Sequence, residues 1–158
     1  MSACTFFGYC DCSESVQSKL RTVLVELIEY CGVNQFYVGQ QGTFDAMVLD
    51  ILQKLASEYP YIRYDVVSEK LPSKYEQLET FPIIFPDELE NVPSQFAISR
   101  RNDWMLQQAD YVVTYAAHSW DNAAQYGEKA AHLGKIVLNL AQKSPVKNKT
   151  RTNRFCSR

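Results

Sequence analysis

The chain has 158 residues, 46% of them apolar and 22% charged, with a formal net charge of −2. That length and balance suit one globular domain with a sizeable core and exclude a fibrous or wholly disordered chain. The charge is unevenly spread: residues 141–158 hold Lys143, Lys147, Lys149, Arg151, Arg154 and Arg158 and no acidic residue, while the rest carries ten basic residues against eighteen acidic.

No run of eighteen apolar residues occurs, so no membrane span is expected. The N-terminus lacks a basic region followed by a long apolar run, so no secretory signal is expected either. Five cysteines (Cys4, Cys10, Cys12, Cys31 and Cys156) fit reduced thiols and a cytoplasmic location. Cys10 and Cys12 are spaced as a metal half-site. No second cysteine pair follows, and His118 and His132 are the two histidines, so neither a metal nor another cofactor is expected.

In chain order, "CTFFGY" (4–9) is a short aromatic strand ending at Gly8. Ser13 or Ser15 starts a helix in which Val16, Leu20, Val23, Leu24, Leu27 and Ile28 recur at helical spacing, and Gly32 ends it. "NQFYVG" (34–39) is a second strand. The segment 43–60 is a second helix, with Phe44, Met47, Val48, Ile51, Leu52 and Leu55 on one face and Pro60 closing it. "YIRYDVV" (61–67) is a third strand. Residues 68–95, broken by Pro72, Pro82, Pro86 and Pro93, read as a long loop of the kind that carries function. A helix over 96–108, the strand "YVVTYAA" (111–117), a helix near 121–133 and the strand "KIVLNLA" (135–141) complete the domain. Residues 142–158 lack apolar periodicity and are expected to be a disordered basic tail, able to contact nucleic acid weakly.

Strands alternating with helices predict an α/β three-layer, Rossmann-like fold. Its sheet is mostly parallel and about five-stranded, with helices on both faces, in one domain over residues 1–141. In such sheets ligands bind outside the carboxyl ends of the strands, where strand order reverses. The residues just after each strand are therefore the ones to examine. Gly8 and Tyr9 follow the first. After the second, Gly39 and Gly42 permit a tight turn, and Thr43 opens a helix whose free N–H groups suit an anion. In the helix over 96–108, Arg101 lies in the apolar stripe between Ile98 and Met105, while Arg100 sits at its edge with Asp103 one turn on. A charge on a buried face needs a partner, since arginine does not deprotonate. Arg101 is therefore expected to reach the open end of the sheet. Asn102 follows it, and Asp121 or Asn122 caps the next helix, which carries Glu128.

The stretches "TFFG", "FYVGxxGxFDxMV", "YPxIxY" and "FAISxRNxWMLxxADYVVTYxxHSWxxAAxxxEKAxxxGKxVxNLA" resemble the YpsA-like branch of the SLOG superfamily over residues 4–141. That superfamily also holds DNA-processing protein A and the lonely-guy phosphoribohydrolases. The resemblance implies a bacterial, cytoplasmic protein with a Rossmann-like sheet. It further implies a nucleotide or nucleotide-derived ligand at the strand ends, contacted by Gly8, Tyr9, Gly39, Gly42, Thr43, Arg101, Asn102, Asp121 and Asn122. A homodimer is a further expectation.

Similarity to the lonely-guy enzymes, which use an arginine and a glutamate on nucleoside monophosphates, implies an alternative. On that reading Arg101 and Glu128 are catalytic in an N-glycosidase, Arg101 orienting the sugar-phosphate and Glu128 stabilising the oxocarbenium charge. A third reading is an interaction module whose pocket has degenerated. The sequence departs from those patterns where phosphate would sit. Gly8-Tyr9-Cys10-Asp11 replaces a Gly-His-Arg-Asp, Asp121-Asn122 stands where paired glycines are usual, and Gln125 replaces a threonine. These changes leave three expectations: a less anionic ligand, weak binding, or no binding at all.

Overall fold

The first strand, β1 (Ser2–Gly8), is buried along residues 3–7, so both of its faces must be covered. A strand buried on both sides reads as a continuous apolar run rather than an alternating one, and "ACTFF" does. The computed structural model describes residues 2–8, 13–40, 42–75 and 81–141. After β1 come α1 (Glu14–Tyr30), β2 (Val33–Val38), α2 (Gly42–Glu58), β3 (Arg63–Val67) and β4 (Ile83–Ile84). Two 3-10 turns, Asp87–Leu89 and Ser94–Phe96, lead into α3 (Ala97–Gln108), followed by β5 (Tyr111–Tyr115), α4 (Asn122–His132) and β6 (Ile136–Asn139).

The sheet has six strands in the order β4-β3-β2-β1-β5-β6, and each neighbouring pair is parallel. The chain steps outward from β1 through β2, β3 and β4, then returns to β1's other edge with β5 and β6. Strand order thus reverses between β1 and β5, where Gly8 is in register with Tyr115.

Residue alternation divides the core in two. Phe6, Phe36, Val38, Tyr111 and Val113 face α1 and α2, meeting Leu20, Leu24 and Leu27 of α1 and Phe44, Val48 and Leu52 of α2. Phe7, Val67, Val112 and Ala116 face the other way, against Met105 and Leu106 of α3 and Ala123 and Ala130 of α4. The three layers are therefore α1/α2, sheet and α3/α4, as the sequence pattern implied.

Four details differ from the sequence reading. The sheet gains β4, whose two residues between Pro82 and Pro86 are too few to show a period. Helix α2 begins at Gly42, whose φ of 80° suits glycine, and so takes Thr43 into its first turn. Ile98 is 44% exposed rather than part of the core stripe, and it borders open cavities. Cys31 is disulfide-bonded, which corrects the expectation of reduced thiols at that position, whereas Cys4 is free and buried. Among the described residues no helix is long and apolar enough to cross a membrane. Tyr9, Cys10, Asp11, Cys12 and the basic tail lie outside the described residues.

Candidate functional site

A cavity of about 250 Å³ opens at the β1–β5 reversal. Phe6, Phe7 and Gly8 of β1 form its floor, Asp45 of α2 lies at one side, and Ile98, Arg101, Asn102 and Met105 come from α3. Asn122, Ala123 and Tyr126 of α4 close the opposite side. The Phe7 and Tyr126 rings are stacked, with centroids 4.6 Å apart and planes at 14°. Gly8 has no room for a side chain: a Cβ there would lie 2.9 Å from the Phe44 ring and 3.0 Å from the Tyr115 Cβ.

Arg101 is 1% exposed, while Arg100 beside it is exposed. The helical turn decides this, since Arg101 shares its face with buried Met105 and Leu106 is close by. Its guanidinium makes three side-chain hydrogen bonds. Nη1 donates to Glu69 Oε2 at 3.2 Å, and Nε and Nη2 donate to Asn102 Oδ1 at 3.2 and 3.0 Å. A Cβ on Gly39 would lie 3.0 Å from Asp45 Oδ2 and 3.1 Å from Arg101 Nη2. The absent side chain of Gly39 is thus what lets the Asp45 carboxylate and the guanidinium crowd the end of β2. Burial pulls the Arg101 pKa below its ordinary value, opposed by the charges of Asp45, Glu69 and Tyr126. Burial also raises the Tyr126 phenol, with Asn102 and nearby Arg101 acting the other way.

Of the residues singled out from sequence, the structure gathers Gly8, Arg101, Asn102 and Asn122 around this cavity, with Gly39 packed behind Arg101. Gly42 and Thr43 are exposed at the start of α2. Asp121 occupies the N-cap position of α4, and its Oδ2 accepts the His118 N–H at 3.0 Å. Glu128 is not brought to Arg101: it is exposed and lines a different cavity, of about 590 Å³, with His118 and Asn139. His118 stacks on the exposed Trp120 at 4.5 Å, and His132, the last residue of α4, is exposed. Among the described residues no group of three or more His, Cys, Asp or Glu is placed to hold a metal ion.

Sequence reasoning missed Asp45, Glu69 and Tyr126. Asp45 flanks the apolar stripe of α2, one turn before Val48, and Glu69 lies two residues past β3, so the strand-end rule points to it. Tyr126 sits one turn after Asn122 on the same helix face.

No protein-family model matches the sequence, and no curated protein does. Among solved structures, the X-ray structure of DNA processing protein A from Streptococcus pneumoniae superposes with a TM-score of 0.64. The fold is Rossmann-like. The match covers 99% of this chain and 54% of the other at 14% identity, so the chain spans about half of that protein's length. At that identity the likeness concerns the fold. The cavity at the β1–β5 reversal stands on this chain's own residues.

Proposed function

We propose that this chain is a non-catalytic binding domain for a nucleotide or nucleotide-derived ligand, in the YpsA-like branch of the SLOG superfamily. The observation that carries the reading is the cavity at the β1–β5 switch point, the place where open α/β sheets take ligands. It has an aromatic wall, a few converging polar groups and a buried arginine, the make-up expected of a small-molecule site. The branch assignment rests on "ISRRNDWML" and "FYVGQQGTFDAMV". Binding is favoured over glycosidic catalysis because Glu128 lines another cavity and Arg101 is already engaged by Glu69 and Asn102.

The test is a thermal-shift screen of nucleosides, nucleotides and ADP-ribose. A ligand present at about 100 times its Kd stabilises the protein by about 2.7 kcal/mol, a shift of several degrees for a domain of this size. A flat response across the whole panel refutes the reading. Ligand-dependent hydrolysis, followed by release of free base, would instead make the domain an enzyme.

A further inference from the structure

We infer that the cavity at the β1–β5 switch receives the uncharged nucleobase end of the ligand and leaves any phosphate outside. This rests on the nucleotide reading above and specifies which part of the ligand enters.

Charge argues first. Two carboxylates, Asp45 and Glu69, stand around one guanidinium, and Asp45 is 9% exposed and lines the cavity itself. Three donors of Arg101 already have partners, Nη1 with Glu69 and Nε and Nη2 with Asn102. A phosphate entering here would meet a cation already paired with Glu69 and would sit against Asp45, with little solvent to screen the repulsion. At the start of α4, Asp121 makes no side-chain cap bond to the helix N–H groups and instead accepts the His118 N–H, but its carboxylate adds negative charge at that helix start.

Shape and chemistry argue for a flat ring. Phe7, Ile98 and Met105 supply apolar walls, and the Phe7–Tyr126 stack sets a plane along which another ring can lie. Asp45 is a carboxylate with several acceptor positions, suited to the ring N–H and exocyclic amino groups of adenine, guanine or cytosine. Asn122 at the mouth can accept or donate. The volume of about 250 Å³ is just below the range of about 300–1,000 Å³ usual for drug-sized ligands, so it suits a base with part of its sugar better than a dinucleotide.

Isothermal titration of the full chain with adenosine, guanosine and cytidine, their 5′-monophosphates, ribose 5-phosphate and inorganic phosphate tests the inference. At least one nucleoside should bind with an affinity close to that of its monophosphate, and ribose 5-phosphate and phosphate should bind at least about tenfold more weakly. Ribose 5-phosphate or phosphate binding as tightly as the nucleosides would overturn the inference and leave the nucleotide reading standing. No binding by any member would overturn both. In variants, Asp45→Asn should weaken the nucleoside about tenfold and narrow its advantage over ribose 5-phosphate. Tyr126→Leu, which keeps Asp45 and removes the stacked wall, should also weaken it about tenfold. Unchanged affinity in whichever of these variants folds counts against the assignment.

Discussion

Under α1 and α2 the sheet meets leucines, isoleucines and phenylalanines, whereas under α3 and α4 it meets two small alanines, Met105, Leu106 and a buried arginine. On the first face, Arg21 pairs with Glu58 at 2.6 Å and the Tyr59 hydroxyl donates to Glu29, both at the rim, and the buried acidic residues are Glu26 of α1 and Asp45 of α2. On the second, a buried cation is added, linked through Arg101 to Glu69 and Asn102. One face is built to be stable, and the other gives up packing to hold charge beside a cavity. Buried charge contributes little to stability compared with apolar packing of similar volume, so its presence at a strand-order reversal argues for use rather than for folding.

The sharpest way to break that contrast is to damage each face in turn. Leu24→Ala, at a position with no exposure, should cost about 4 kcal/mol in urea denaturation, near the upper part of the range for buried leucines. Arg101→Leu should cost about 3 kcal/mol, because it removes the cation paired with Glu69 and close to Asp45. Replacing Arg101, Asp45 and Glu69 together by leucine should recover much of that loss. If the triple variant is less stable than Arg101→Leu alone, the cluster is a structural keystone and the contrast between faces fails.

The most distinct pH effect should come from the first face. The hydrogen bond to Glu29, then desolvation and nearby negative charge, push the Tyr59 hydroxyl from its ordinary 10 up to about 12. The neutral phenol is the form favoured by folding, so its contribution is complete below about pH 10 and is lost as pH rises through about 12. Ultraviolet titration should show a tyrosine ionising near pH 12 that disappears in Tyr59→Phe, beside the raised phenols of Tyr37 and Tyr126, which stay. The smallest effect is expected at the neighbour of the buried cation: Arg100→Ala should change stability by no more than about 0.5 kcal/mol. A loss there comparable with that of Arg101→Leu would mean that α3 sits in a different rotation.

The fold was legible because hydrophobic periodicity reports directly on which helix and strand faces are buried. Leu20, Leu24, Leu27 and the Phe44–Leu55 stripe all lie where their spacing put them. The two-residue β4 was not legible, because no period exists in two residues. The separation of Arg101 from Arg100 was readable from the helical turn, but the partners of Arg101 were not. Glu69 reaches it across 32 residues of sequence, from a loop whose path no local pattern encodes. Glu128 illustrates the converse. Its placement beside Arg101 rested on a motif analogy, and the rotation of α4 carries it toward β6 and the other cavity.

Strand β5 closes on β1 across a long stretch of chain: the Ala3 N–H donates to Asp110 Oδ2 at 3.1 Å, 107 residues away. The β1–α1–β2–α2–β3 half, by contrast, pairs strands that are near neighbours in sequence. Loop-closure entropy makes the distant pairing the slower one, so the first half is expected to gain structure early and β5 to dock late. The cavity has walls from both halves and comes into being only with that last docking step. A ligand held there would slow unfolding by resisting the departure of β5 and would do little to accelerate the earlier steps, so occupancy would be read more clearly in the lifetime of the native state than in its rate of formation.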